Sequence, residues 1–125
     1  MYDIGQKSIW FSNGTHHQFP GEVAEIVEFE DVIVIRLDCQ PPMTHRNVYA
    51  LDRRGNMLWQ IPEPISYAVQ APYVAIYRHG GFVDAVNWDG RILQLHPQLG
   101  RILRESVIFD GPPSSRRTSS ARQWV

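Results

Sequence analysis

Two similar stretches of the chain decide its fold. Residues 47–59 read NVYALDRRGNMLW, and residues 91–103 read RILQLHPQLGRIL. Their apolar positions coincide when the second stretch is shifted by 44 residues before the turn and by 45 after it. In both stretches the apolar residues recur with period two, which indicates strands, and Gly55 can adopt the positive φ that a short hairpin turn requires. Each stretch therefore predicts a β-hairpin.

A second hairpin precedes each of these stretches. Residues 23–37 contain two strand patterns around Glu30-Asp31, and residues 73–88 contain two more around Gly80-Gly81. One further strand pattern occupies residues 8–12, and no amphipathic helical periodicity of ten or more residues occurs between residues 9 and 109. We therefore predict an all-β fold of two four-stranded antiparallel units, residues 23–61 and 73–109, preceded by one strand.

Composition suits one domain with a basic tail. The chain has 125 residues, of which 43% are hydrophobic and 20% charged, enough to form a core. Residues 1–111, the predicted domain, carry a net charge of −4, whereas residues 112–125 carry +3 and predict a disordered tail. Two proline-containing segments, 39–46 and 62–72, predict loops.

The same composition sets the expected compartment. Cys39 is the single cysteine, so an intramolecular disulfide is excluded. The first residues do not resemble a secretory leader, and no run of about eighteen apolar residues occurs. We expect a cytoplasmic protein that does not bind membranes.

The first hairpin stretch resembles a known repeat. Residues 48–59, VYALDRRGNMLW, resemble the repeat signature of quinoprotein-type (PQQ-like) β-propellers. The second stretch is similar more loosely, with His96 in place of Asp52 and Arg104 in place of Trp59. The resemblance implies blade-like repeats. It does not imply a quinone, since quinone binding in that family relies on a closed eight-bladed channel, so no cofactor is expected. The order of residues 47–61, 87–90 and 95–103 also resembles small uncharacterised bacterial all-β proteins.

Two blade-like repeats leave two faces to cover. A propeller closes with about four to eight blades, so two repeats cannot close one. Two arrangements remain open at this point. The strands could form a small barrel or sandwich of their own, with Trp10, Trp59 and Trp88 in its interior. Alternatively, the repeats could be part of an oligomeric propeller built from several copies.

Catalytic and metal-binding patterns are weak. Asp38, Cys39 and His45 contain the residue types of a nucleophile with its base, but no motif fixes them. His16 and His17 would point to opposite sides of a strand and would not converge on one metal ion. We therefore predict a protein that is not an enzyme and holds no metal.

The leading functional prediction is a non-catalytic protein-interaction module, which binds a protein partner or itself and is of the immunity or adaptor type. A cluster of acidic side chains would supply its binding surface: Glu22, Glu25, Glu28, Glu30 and Asp31. The basic tail could bind an acidic partner. The tail and Trp124 could also bind single-stranded nucleic acid, but the acidic domain argues against this.

The alternative prediction is a small oligomeric lectin. Trp88 and Trp59 could stack on sugar rings, while Arg91 and Asp84, or Asp89, could bind hydroxyl groups. Aromatic residues also dominate β-sheet cores, so the sequence favours an interior position for both tryptophans.

Overall fold

The computed structural model describes residues 1–38, 45–62 and 71–107. These residues contain no helix, so the predicted all-β class is confirmed, and none of their segments is a helix long and apolar enough to cross a membrane. The described strands are β1 (Tyr2–Ile4), β2 (Ser8–Phe11), β3 (His16–Gln18), β4 (Val23–Glu28), β5 (Val32–Leu37), β6 (Val48–Asp52), β7 (Met57–Gln60), β8 (Tyr73–His79), β9 (Phe82–Asn87), β10 (Arg91–Leu95) and β11 (Ile102–Val107).

Three antiparallel sheets follow one another along the chain. The first sheet contains β1–β3, the second β4–β7 and the third β8–β11, and each strand pairs with the next. Nine of the described strands are predicted: β2 at residues 8–12, and four in each of the units 23–61 and 73–109. The strands β1 and β3 were not predicted, because three residues are too few to show an alternating pattern. The single preceding strand of the prediction is therefore the centre of a three-stranded sheet.

The two four-stranded sheets also share their irregularities. The pairing of the first two strands shifts between Val23 and Glu25 in the second sheet, and between Tyr73 and Ala75 in the third. The pairing of the last two strands shifts after Ala50 in the second sheet and after Gln94 in the third. Bulges of this kind bend a strand at a defined residue. The similarity of residues 47–59 and 91–103 thus extends to the backbone.

The second sheet lies between the other two and is buried on both faces. In β5, Val32 and Val34 pack into a core with the third sheet, whereas Ile33 and Ile35 pack into a core with the first sheet. An uninterrupted apolar run is typical of a strand that is covered on both faces. The described sheets are therefore stacked layers with open edges, and they do not close into a barrel.

Two of the three tryptophans expected in the interior lie on the surface. Trp88 is 71% exposed in the β9–β10 turn, and Trp10 is 50% exposed. Trp10 projects from the face of the first sheet that is turned away from the second, where its ring stacks on His16 at 4.1 Å between ring centroids. The expectation of an interior position was wrong for both, because the aliphatic residues of the second sheet fill the core. Only Trp59, of these three, packs against a core.

A buried amide fixes the third sheet to the second. Asn47 is fully buried, and its Nδ2 donates to the carbonyl oxygens of Leu37 (2.7 Å) and Tyr73 (2.9 Å). Its Oδ1 accepts a hydrogen bond from the Tyr73 N–H at 2.8 Å. The side chain thus bridges the end of β5 and the start of β8, which sets the position of one layer on the next.

Turns attach the first sheet to the second. Asn13 Nδ2 donates to the Arg54 carbonyl at 3.0 Å, which joins the β2–β3 turn to the β6–β7 turn. The ring of Phe11 lies so close to Gly55 that a Cβ there would be 2.7 Å from Phe11 Cδ1. Gly14 occupies the corresponding turn position in the first sheet, has the same φ of 94°, and has no atom within 4 Å of a Cβ position.

These two glycines allow a matched test of the contact between the first sheet and the second. Gly14→Ala introduces only positive-φ strain and should cost about 1 kcal/mol of unfolding free energy. Gly55→Ala adds a clash with the Phe11 ring, so its cost should be about 2–4 kcal/mol. Urea denaturation followed by circular dichroism measures both. Equal losses would show that the two turns are not in close contact.

Candidate functional site

Three of the five acidic residues that the sequence predicts as a binding surface have partners within the chain. Glu25 Oε1 accepts hydrogen bonds from Arg36 Nε at 2.6 Å and from the Ile76 N–H at 3.1 Å, so it joins β4 to β8. Glu22 accepts a hydrogen bond from Gln6 Nε2 at 2.7 Å. These contacts hold the layers together and reduce the charge that these two residues offer to a partner.

Glu28 is the third acidic residue with internal partners. The Tyr2 hydroxyl donates to Glu28 Oε2, and Arg53 Nη2 lies 3.5 Å from Oε1. The hydrogen bond from Tyr2 holds the pKa of the Glu28 carboxyl below its ordinary value, helped by the Arg53 charge and opposed by partial burial. Burial and the same hydrogen bond raise the pKa of Tyr2 to about 12. The pair links the first sheet to the second.

Glu30 and Asp31 differ from the other three acidic residues. Both lie exposed in the β4–β5 turn, and neither carboxylate has a hydrogen bond or ion pair within residues 1–38, 45–62 and 71–107. The backbone of the turn is held in place, because Phe29 N–H donates to the Val32 carbonyl at 2.8 Å and Arg53 Nε donates to the Glu30 carbonyl at 3.1 Å. Two unpaired carboxylates are thus presented on a fixed turn.

This turn borders a cleft of about 260 Å³ between the second and third sheets. The residues that line it are Phe29, Glu30, Asp31, Val32, Arg78, Gly81, His96, Pro97 and Gln98. The guanidinium of Arg78 lies 4.8 Å above the centre of the Phe29 ring, and its Nη1 donates to the Glu28 carbonyl at 3.0 Å. His96 Nδ1 accepts hydrogen bonds from Gln98 N–H (3.2 Å) and Leu99 N–H (3.3 Å), which leaves Nε2 to carry the proton of the neutral ring.

The chemistry of the cleft differs between its two sides. The second sheet contributes carboxylates, and the third contributes hydrogen-bond donors. The residues of the third sheet were not predicted, because no sequence pattern indicates that the β8–β9 and β10–β11 turns meet the β4–β5 turn. The β8–β9 turn itself is predicted from Gly80-Gly81.

The residues predicted for a sugar site are distributed over the third sheet and its border. Trp88 lies in the β9–β10 turn beside Asp89, whose Oδ2 accepts a hydrogen bond from buried Arg91 Nε at 2.7 Å. Trp59 lies against the β10–β11 turn, at the other end of β10, and its Nε1 donates to the Pro97 carbonyl at 2.7 Å. Trp88 and Arg91 therefore lie near one another, and Trp59 does not join them.

Asp84 is also separated from that turn. Its Oδ2 lies 2.8 Å from His79 Nδ1, near the β8–β9 turn, and its partner across the sheet is Gln94 rather than Arg91. The structure thus brings together part of the predicted sugar site, namely Trp88, Asp89 and Arg91.

The described residues contain no cluster of metal-binding side chains. No group of three or more His, Cys, Asp or Glu residues there could hold a metal ion. His16 and His17 lie on β3 and point to opposite faces, since His16 stacks on Trp10 and His17 Nε2 contacts the Gly55 carbonyl. Cys39, the tail at 112–125 and Trp124 lie outside the described residues, as do most of the loops predicted at 39–46 and 62–72.

Comparison with known proteins gives a family without an assigned role. The model of a family described as a domain of unknown function (DUF7957) matches residues 6–107. A search of curated proteins finds no match.

The Tyr2–Glu28 hydrogen bond gives a pH-dependent prediction. Tyr2→Phe should lower the unfolding free energy by about 0.5–1 kcal/mol at pH 7, where the exposed pair is partly screened by solvent. Because the folded-state pKa of Glu28 lies below its ordinary 4.5, this stabilisation is present above pH 4.5 and is lost as the pH falls through the folded-state pKa. Urea denaturation between pH 3 and 8 should show the two proteins converging in acid. The control Tyr77→Phe changes an exposed tyrosine and should show no difference at any pH.

Proposed function

The chain belongs to the DUF7957 family, and we propose that it is a non-catalytic protein-interaction module. One observation carries the proposal: Glu30 and Asp31 are exposed without an ion pair among the described residues, beside a cleft, while the other three acidic residues of the predicted surface have internal partners. The partner is a protein that places a basic side chain in this cleft. An immunity or adaptor role fits such a module by analogy alone.

The geometry of the cleft suits a long basic side chain. Phe29 and Pro97 are buried and form apolar walls of the cleft, and the exposed carboxylates of Glu30 and Asp31 at its border can bind the charged end of a lysine or arginine. The turn is already held by backbone hydrogen bonds and by Arg53, so little conformational entropy is lost on binding. Arg78 is drawn toward Phe29 and the Glu28 carbonyl, which leaves the carboxylates available.

We further propose that the sheets are blade-like repeats in a stack that needs no second copy. Their matching bulges and the contact between the first strands β4 and β8 support this arrangement. The face of the third sheet that points away from the second carries three polar residues, Asp84, Gln94 and Arg104. The equivalent positions of the second sheet hold Val34, Ala50 and Trp59, which are apolar. A polar outer face is typical of a terminal repeat. Of the apolar residues on that face, Val86 and Ile92 are buried within the chain, whereas Phe82 and Tyr77 are 39% and 54% exposed.

Charge removal at the turn tests the proposed protein-binding surface. The double variant Glu30→Gln and Asp31→Asn should capture at least about tenfold less of a partner protein than the wild-type chain does. The reason is that the partner's basic side chain no longer finds the two carboxylates that bind it. Capture should also weaken as salt is raised. Glu22→Gln is the matched control, since Glu22 has an internal partner, and should capture normally. Equal capture by the double variant and the wild type would contradict the proposal.

A second candidate function rests on Trp88. Its ring is 71% exposed beside Asp89, so it can stack on a sugar, whereas Arg91 is buried and acts only by holding Asp89 Oδ2 in place. If the protein is a small lectin, a glycan array should show binding that Trp88→Ala abolishes. The control Trp10→Ala removes another half-exposed tryptophan on a different sheet and should leave binding unchanged. An array without any bound glycan would exclude this candidate.

A further inference from the structure

Among the described residues, the first sheet has no counterpart of the strand that begins each of the other two sheets. Its β2–β3 turn, residues 11–15, matches the β6–β7 turn, residues 52–56. In the β2–β3 turn, Phe11 N–H donates to the carbonyl of residue 15 at 2.8 Å, and Gly14 N–H donates to the Phe11 carbonyl at 3.0 Å. The β6–β7 turn has the same two hydrogen bonds, from Asp52 N–H to the carbonyl of residue 56 at 2.9 Å and from Gly55 N–H to the Asp52 carbonyl at 3.1 Å. The strands β2 and β3 therefore correspond to β6 and β7, and β1 corresponds to β5. The second sheet continues beyond β5 with β4, whereas no strand among the described residues pairs with the other edge of β1.

The backbone of β1 offers hydrogen-bonding groups at that edge. Ser12 N–H donates to the Met1 carbonyl at 3.0 Å, and Gly5 N–H donates to the Ser8 carbonyl at 2.8 Å. Because bonding to one neighbour alternates along an antiparallel strand, Asp3 bonds to β2 and the backbone groups of Tyr2 and Ile4 point to the open edge. Within the part of the chain that the structure describes, neither residue has a hydrogen bond or ion pair beyond the pairing with β2 and the Tyr2–Glu28 hydrogen bond.

An apolar side chain is left uncovered beside this edge. Ile4 lies opposite Ile9 on the face that packs toward the second sheet, yet it is 51% exposed. Its counterpart in the second sheet, Val34, is fully buried, and there the first strand β4 supplies Val27 as its neighbour. Ile4 is exposed because no described strand pairs with the outer edge of β1.

The strand β4 forms the other wall of the open position. Tyr2 bonds to Glu28 at one end of β4, and Val23 N–H donates to the Gln6 carbonyl at the other, so β4 runs alongside β1. Val23 and Ile26 face the first sheet and are only half-buried. The open edge offers backbone hydrogen-bonding groups and this wall offers apolar side chains, which are the two kinds of contact that an added strand would use.

We propose that β1 binds an extended segment of a partner protein, which joins the first sheet as an antiparallel strand. This mode of recognition draws its affinity from backbone hydrogen bonds and its specificity from alternate side chains. The segment places apolar side chains against Ile4 and β4, and basic side chains on the opposite face, where Asp3 lies. The inference rests on the proposed protein-interaction function but uses a different surface from the cleft at Glu30 and Asp31.

Charge argues against a second copy of the chain as the occupant. If β1 paired with β1 of a second copy, the backbone groups of Tyr2 would form hydrogen bonds with those of Ile4 in the copy. Asp3 would then lie directly opposite Asp3 of the copy. Like charges in that position destabilise a strand pair. A basic segment from another protein turns the same residue into a favourable contact.

Two matched peptides test the proposal on the full chain. The acetylated and amidated peptide KVKIKV has the required alternation, and EVEIEV keeps its apolar residues while reversing its charges. We expect KVKIKV to bind at least about tenfold more tightly than EVEIEV in a fluorescence anisotropy titration. We also expect KVKIKV to slow hydrogen exchange of the Tyr2 and Ile4 amides at least about tenfold.

A variant of the edge serves as the second arm. Ile4→Pro removes the N–H that faces the open edge without removing a bond to β2, and it should abolish peptide binding. Ile4→Ala keeps that N–H and should only weaken binding, and circular dichroism checks that both variants are folded. Glu30→Gln with Asp31→Asn should leave peptide binding unchanged. Capture of a partner that depends on Glu30 and Asp31 without any peptide binding would overturn this inference and leave the proposed function standing.

Three other results would overturn the inference. The first is absence of KVKIKV binding, and the second is binding that Ile4→Pro does not change. The third is protection of the Tyr2 and Ile4 amides in the chain without peptide. If light scattering then shows a monomer, residues of the same chain occupy the edge, and if it shows a dimer, a second copy does.

Discussion

The rest of the structure depends on the burial of β5 on both faces. Four consecutive side chains of this strand, at residues 32–35, are almost inaccessible to water, two in each core. Burying aliphatic side chains of this size contributes roughly 1.5–3 kcal/mol each, so the strand stabilises both layer contacts at once. Apolar contacts of this kind are not directional, however, so they do not fix the position of one sheet on the next. Asn47 and Glu25 supply the directed hydrogen bonds that set where the third sheet lies on the second.

The local sequence pattern predicts where the strands lie better than it predicts how the sheets stack on one another. Alternation and turn glycines located nine strands, because both signals act over a few neighbouring residues. Which face of a sheet is covered depends on contacts between distant residues, and this is why Trp10 and Trp88 were assigned to the interior. The run VIVI at residues 32–35 does indicate a strand covered on both sides, but it does not identify the layers that cover it.

The candidate site, too, could be predicted from the sequence only in part. Sequence charge located the acidic residues, but their partners lie far away in the chain, Tyr2 and Arg53 for Glu28 and Ile76 for Glu25. Sequence alone could therefore not separate the acidic residues that hold the layers together from Glu30 and Asp31. The cleft depends on turns of two sheets meeting at one end of the stack, which is a consequence of the layering.

The polar residues on the outer face of the third sheet also limit how far the stack can extend. A layer with aliphatic residues in place of Asp84, Gln94 and Arg104 would present the same kind of surface that the second sheet presents to the third. Another copy could then add its own layers there, and such a head-to-tail contact repeats without closing. In the proposed stack, these three polar side chains disfavour that head-to-tail contact.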